Sequence, residues 1–266
     1  MSGIKKKCIT ALNDSKKIQL LIGIIATLVV VVLFIEPIPQ DPDYHQFAAQ
    51  DAVQDIPNMW IVCSSLAFIL VGAVCLVKLK DIHTGIPSNK LRTVIHLFYI
   101  GVILTGFGSG YYHYAPANDT LLWDRLPMTV SFMAFFSFIL SMHIGERVGT
   151  TLLWPLLAIG IASVLFWGYT EGLGSGDLRF YAVVQFLPVI LIPVILLMFP
   201  NPAYEQSYIW LIIAMYIAAK LTELFDHQIY DLCGISGHTF KHGIAALAGI
   251  AFFLAVKSIE VLLFRS

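Results

Sequence analysis

The sequence predicts an all-α protein, a polytopic transmembrane helical bundle, and three observations carry that reading. Only 12% of the 266 residues are charged while 58% are hydrophobic, whereas about a quarter of an ordinary soluble domain is charged. The mean hydropathy is +0.80. Apolar runs long enough to cross a bilayer, which takes about 20 helical residues, recur near 18–35, 59–77, 93–112, 127–144, 151–169, 180–199, 207–225 and 239–263.

Each run has its own flanks. The first follows "MSGIKKKC" and "SKK", a charged front that a signal peptide would share, but "EPIPQDPDYHQ" after it offers no small-residue cleavage site, so it reads as a retained anchor. The one long linker, 36–58, is acidic. The third run ends in "GSGYYHY", and "NDTLLWDRLP" precedes the fourth. "GSGDLRFY" opens the sixth, "AKLTELFDHQ" closes the seventh and "SGHTFKHG" opens the last. Short linkers and the lack of a repeat predict one compact transmembrane domain.

Charge excludes one class of function and predicts an orientation. A net charge of −1 provides no basic face to displace phosphate counterions, so no nucleic-acid partner is expected. Cys8, Cys63, Cys75 and Cys233 form neither a C-x-x-C pair nor a regular framework, which argues against a disulfide scaffold and a sulfur-ligated metal. With eight spans both termini share a side. That side collects Lys5, Lys6, Lys7, Lys16, Lys17, Lys78, Lys80, Lys90, Arg92, Arg147, Lys257 and Arg265, and is expected to be cytoplasmic. The opposite loops hold Glu36, Asp41, Asp43, Asp51, Asp55, Asp119, Glu171 and Asp231 and should face a lumen, periplasm or exterior.

The other four basic residues, Arg125, Arg179, Lys220 and Lys241, sit beside further polar groups rather than in cytoplasmic loops. Charge near membrane depth costs several kcal/mol unless paired or wetted, so such residues usually face a bundle interior and serve function. Lys220, Glu223 and Asp226 recur every three residues and predict an inward face of the seventh helix, as a neutralising network or a headgroup contact. Lys241 is expected to pair with Asp226, Asp231 or an anionic headgroup. Asp177 and Ser236 are candidate caps for the sixth and eighth helices.

Because spans alternate in direction, Ser109–His113 and His238–His242 fall at the same end of the bundle. His238 and His242 are four apart, which puts both rings on one helix face, their Cβ atoms about 5–6 Å apart. Two imidazoles so placed can share a metal ion. His113 would be a third ligand from another helix, leaving an open fourth position as in catalytic zinc sites, with the Ser109 hydroxyl projecting toward the same centre. The plainer alternatives are an interfacial histidine pair, an aromatic belt that includes His113, and a solvated Asp124–Arg125 ion pair. His83, His96 and His143 lie toward the other end; His45 and His227 have no such company.

Ser109-x-x-x-His113, Asp124 in "WDRLPM" and His238-x-x-x-His242 together resemble the three-part pattern of the CREST superfamily of membrane hydrolases, and most of all its alkaline ceramidase family. "IPNMWIVCSSLAFILVG", "GSGYYHYAPAN", "GDLRFY" and "SGHTFKHG" extend the resemblance over roughly residues 47–260. It implies a seven-helix hydrolase core at 46–266, preceded at 1–45 by the extra helix and the acidic loop. It implies one catalytic Zn2+ held by His113, His238 and His242. Asp124 would orient and deprotonate the attacking water, and Ser109 would assist at the substrate carbonyl. The family's animal ceramidases also carry Ca2+ in an acidic segment with a D-W-x-E-like start. This chain lacks that start, and with it the support for a calcium site.

The expected substrate is a ceramide-like membrane lipid, cleaved at its amide to a fatty acid and a long-chain base. An ester-directed lipid hydrolase fits the same residues. An adiponectin-receptor-like seven-helix receptor is the reading from another class, weakened because only about 17 residues precede the first span. A transporter would distribute its polar residues across the membrane.

Overall fold

The structure, a computed structural model, describes residues 14–49, 56–82 and 86–263, with side chains as far as Ile259. Lys5, Lys6, Lys7, Cys8, Asp51, Asp55, His83 and Arg265 lie outside the described residues. Those that are described form helices and no β-sheet, and eight helical stretches are long and apolar enough to cross a membrane. The protein is an all-α, multi-pass membrane-type bundle.

The chain divides into two compact units, Met1–Pro37 and Ile38–Ser266. The first contains α1, Asp14–Phe34, whose 21 residues reach about 30 Å at 1.5 Å rise per residue. The division falls eight residues before the boundary expected at residue 45, because Ile38–Ala48 is anchored on the second unit. Leu178 N–H donates to the Ile38 carbonyl at 2.8 Å. Arg125 donates to Gln40 Oε1 at 2.7 Å.

The second unit holds the other seven spans. The first is broken at Ser65 into α2, Met59–Ser64, and α3, Leu66–Lys78, which tightens into a 3-10 turn at Leu79–Ile82. Then come α4, Asn89–Tyr114; α5, Asn118–His143; α6, Glu146–Gly172; α7, Arg179–Met198; and α8, Ser207–Leu224. A short α9, Asp226–Cys233, ends on Gly234 in the left-handed region at φ 70°, and α10 runs Gly237–Leu263. The fourth span thus starts nine residues before the expected 127. Its first turns are polar, which hides them from an apolar-run reading, yet the backbone is satisfied: Thr120 Oγ1 accepts from Ala117 N–H at 3.1 Å and donates to the Ala115 carbonyl at 2.7 Å. Asp124 and Arg125 therefore stand on a helix.

α4 packs along α5, α5 along α6, and α10 against α8 and α3. One close approach sets the depth of the site. Pro127 has no N–H, so the Trp123 carbonyl four residues earlier lacks its helical donor. Gly108 of α4 fits over that carbonyl, where an added Cβ would also stand 3.1 Å from the Asp124 Cα. The same contact brings α4, which carries Ser109 and His113, against α5, which carries Asp124.

Away from the site, Phe252 of α10 packs against Phe98 (4.5 Å between ring centres), Phe138 (4.9 Å) and Phe135 (5.3 Å). Tyr99 donates its hydroxyl proton to the Gly249 carbonyl at 3.0 Å, tying α4 to α10. Toward the other end His143 meets the Phe199 carbonyl at 2.6 Å and the Tyr204 hydroxyl at 2.5 Å, a helix-joining role. His96 bonds the Arg92 carbonyl one turn back.

Candidate metal centre

α10 starts where it does because one carboxylate organises its first turn. Asp226 Oδ1 accepts from the Ser236 hydroxyl at 2.5 Å and from His238 N–H at 3.1 Å, while Ser236 Oγ accepts from the same N–H at 3.1 Å. Ser236 is the cap the sequence predicts, and Asp226 holds the cap. Asp226 does so from the start of α9, not from the face of the preceding helix, because α8 stops at Leu224. The expected three-residue face therefore reduces to Lys220 and Glu223, paired at 2.5 Å. Lys241 pairs with Glu223 at 2.6 Å, in place of the expected Asp226 or Asp231, and its Nζ lies 3.1 Å from His238 Nε2.

From this start His238 and His242 project on one face toward His113 at the end of α4. The three rings form a near-equilateral triangle, with centre separations of 4.7 Å (His113–His238), 5.0 Å (His113–His242) and 5.0 Å (His238–His242). All three are buried, and one nitrogen from each lies within 4.8 Å of the others. Among the described residues this is the one group of histidine, cysteine and carboxylate side chains that gathers so tightly.

The donor chemistry fits a metal ion. Ser64 Oγ gives its proton to the Ile61 carbonyl at 2.7 Å, so it can only accept from His242 Nδ1, 2.8 Å away. That places the ring proton on Nδ1 and leaves the Nε2 lone pair for the centre, the outer support that metal-binding histidines usually have. His113 Nδ1 is buried with no hydrogen-bond partner, and so is Asp124 Oδ1. Buried polar atoms without protein partners are rare, and an imidazole nitrogen and a carboxylate oxygen are donor types that suit a cation site.

Ser109, Asp124 and the histidines stand together as expected. Ser65 donates to Ser109 Oγ at 3.1 Å, and Ser109 Oγ lies 3.4 Å from His242 Nε2 and within hydrogen-bonding reach of Asp124. The solvated Asp124–Arg125 pair is corrected: both residues are buried, and among the described residues Arg125 joins no ion pair. Asp177 is buried and clamps Arg179 through two bonds to its Nε, at 2.9 and 3.1 Å, and one to its backbone N–H at 3.0 Å. The guanidinium holds this carboxyl below its usual range.

Residues 44–48 cover the centre, and sequence reasoning missed this. Phe47 packs edge-on against His113 (4.7 Å) and His238 (4.9 Å). His45, which the sequence left without a role, bonds the Tyr112 hydroxyl and Asn118 Oδ1, both at 2.9 Å. Ala48 N–H reaches Asp226 Oδ2 at 2.9 Å, and Tyr44, its phenol pKa raised by burial, donates to Glu223 at 3.4 Å. Asn58, at φ 50°, donates to the His113 carbonyl at 3.0 Å. Asp41 and Asp43 are exposed and cap the local turn, Asp43 N–H bonding Asp41 Oδ1 at 2.9 Å.

Beside the triangle opens a cavity of about 360 Å³. Ser109, Asp124, Arg125, Lys241 and His242 line its head, and Phe98, Phe135 and Ile192 its apolar depth. Comparison of the chain with protein-family models, with curated proteins and with solved structures returned no match.

Proposed function

We propose that the protein is a zinc-dependent lipid hydrolase of the CREST type that cleaves the amide of a ceramide-like lipid. One observation carries the reading: three buried imidazoles from helices far apart in sequence converge beside a carboxylate and a hydroxyl at the head of an apolar cavity. A structural zinc is normally closed by four protein ligands, whereas three ligands with an open position belong to catalysis.

His113, His238 and His242 would hold the ion. Zinc supplies Lewis acidity, making water acidic enough to act as a nucleophile near neutral pH and polarising a carbonyl. The remaining steps belong to this chain. Asp124, with Oδ1 free of other partners, orients the attacking water, takes its proton and returns it to the leaving amine. The Ser109 hydroxyl accepts from Ser65 and faces Asp124, and in the reaction its proton would turn from the carboxylate to the oxygen that gains charge in the transition state. Ser109 is not assigned as the nucleophile, because the histidine beside it, His242, would be committed to the metal and Asp124 to the attacking water. Phe47 excludes bulk water from the ring cluster.

The cavity beside these groups suits a lipid whose polar linkage lies near headgroup depth and whose chain descends among aromatic side chains. An ester is served by the same groups, but an amide is the harder bond and makes fuller use of a metal and a proton-returning carboxylate. Metal analysis coupled to lipid turnover tests the reading. Purified protein should carry about one zinc and release fatty acid and an amine-bearing lipid, and His113→Ala should lose both metal and turnover. Fatty acid plus a lysolipid would point to the ester; turnover unaltered in His113→Ala would refute the metal mechanism.

A further inference from the structure

Arg125 is the unusual charge of the cavity. It is 6% exposed, and no carboxylate of the described residues comes within 4.0 Å of it. Its Nη2 donates to Gln40 Oε1 at 2.7 Å, while its Nη1 is buried without a hydrogen-bond partner among the described residues. The guanidinium carbon lies 4.3 Å from the centre of the Trp167 ring, 4.9 Å from that of Tyr181 and 5.5 Å from that of Tyr44. Aromatic faces stabilise a cation and fix its plane, but they take none of its in-plane N–H donors.

The charges around it do not compensate it either. Arg125, Lys220 and Lys241 line the cavity and Asp124 is the one carboxylate among the lining residues, and Glu223, behind them, is shared between the two lysines, so three cations meet two anions before any metal is counted. A buried, unmatched cation costs several kcal/mol, and in a membrane-spanning bundle such residues mark ligand positions. Arginine is also the side chain whose fixed fork suits carboxylate and phosphate oxygens.

The geometry points to Arg125 as the docking residue for an oxyanion, a carboxylate or phosphate group, at the head of a long-chain amphiphile whose chain fills the apolar part of the cavity. The inference deepens the amidase reading and rests on it only for the scissile linkage: the substrate is then an acylated amine carrying a negative charge close to the amide. A carboxylate could also come from the fatty acid that hydrolysis releases.

Binding to the zinc-loaded, detergent-purified full chain separates these cases, using Asp124→Asn to block turnover. The probes are N-oleoylglycine, its neutral counterpart N-oleoylethanolamine, oleate, and oleyl alcohol. The expected result is that N-oleoylglycine binds about tenfold or more tightly than N-oleoylethanolamine, as one charge-assisted hydrogen bond warrants. Arg125→Met should abolish that ratio and Arg125→Lys retain part of it. Melting curves without probe show that each variant is folded; should Arg125→Met not fold, Arg125→Lys and the four-probe comparison on the parent carry the test. Oleate matching N-oleoylglycine assigns the oxyanion to the released acid, and oleate matching oleyl alcohol assigns it to the headgroup; both support the site. Equal affinity for charged and neutral probes overturns it. A wild type that hydrolyses nothing but keeps the preference sinks the hydrolase reading alone, whereas efficient hydrolysis of the neutral amide, unchanged in Arg125→Lys, sinks this one alone.

Discussion

Ser64 and His242 are 178 residues apart in sequence and 2.8 Å apart in space, and the serine proton is already committed to the Ile61 carbonyl. The contact therefore sets which imidazole nitrogen is protonated, since Ser64 accepts and His242 Nδ1 donates. Ser64→Ala should leave the fold intact and weaken zinc binding about 10- to 100-fold, the usual cost of losing such support. Competition with a chromogenic chelator measures it. An unchanged affinity would mean that the ring is held by packing against Phe68, 5.4 Å away, and not by the hydroxyl.

Ligand and proton carrier should separate by variant. His238→Ala removes one of three donors and should release the metal, whereas Asp124→Asn keeps shape and volume and should retain it. Turnover by Asp124→Asn should fall about 100-fold or more, the scale of general acid–base contributions. Metal content and fatty-acid release on the same preparations check both. Full metal in His238→Ala, or full activity in Asp124→Asn, removes that residue from its role.

The helices and the gathering of three histidines are legible because both rest on local rules. Bilayer thickness sets run length, alternating span direction brings Ser109–His113 and His238–His242 to one end, and four-residue spacing aligns two imidazoles. The covering segment was not. "DPDYHQFA" has no periodicity and is acidic, so it reads as a solvated loop, while its contacts run from His45 to Tyr112 and from Ala48 to Asp226. Lys241 was legible as needing a carboxylate but not as needing Glu223, since that choice depends on α8 ending at Leu224 and turning Asp226 toward Ser236. For Arg125 the sequence offers an inward-facing charge and, as the plainer alternative, a solvated pair with Asp124. Neighbouring positions on a helix diverge by about 100°, and once the fourth span starts at Asn118 the two side chains part.

Asp226 links the cap of α10 to the covering segment through three accepted hydrogen bonds. Asp226→Ala strands two donors, the Ser236 hydroxyl and Ala48 N–H, at about 1–3 kcal/mol for each that finds no water, and leaves His238 N–H to Ser236 Oγ alone. It should lower the melting temperature by several degrees and weaken zinc binding as well, because the backbone of His238 loses its anchor. Asp226→Asn, which retains one acceptor oxygen, should fall between. A variant that melts lower but binds zinc normally would confine Asp226 to stability.

Two glycines of α4 two residues apart should respond differently to one added methyl. At Gly108 the methyl would run into the Trp123 carbonyl that Pro127 leaves open, pushing α4 from α5, whereas at Gly110 its nearest neighbour is the Ser65 Cβ at 3.9 Å. Gly108→Ala should cost about 1–3 kcal/mol, the usual range for overpacking, and reduce activity by separating Ser109 from Asp124. Gly110→Ala should stay within about 0.5 kcal/mol. Thermal melts and turnover of the two single variants settle it, and equal behaviour would mean the helices re-pack freely.

Orientation follows from a charge argument and has a direct test. Lysine and arginine cluster at the ends away from the histidines, so the metal centre should open on the non-cytoplasmic side. Ala115, exposed just past the end of α4, and Arg147, exposed in the first turn of α6, mark opposite ends of the bundle. Cys63 and Cys233 are exposed natural thiols, so the labelling needs a cysteine-free background. In a surface membrane, Ala115→Cys should react with an impermeant maleimide on intact cells and Arg147→Cys only after permeabilisation. In an internal membrane, Arg147→Cys should react once the plasma membrane alone is opened, and Ala115→Cys should wait for the organelle to be breached. The reverse order in either setting would put the three-histidine end in the cytoplasm, and the distribution of basic residues would then need an explanation other than topology.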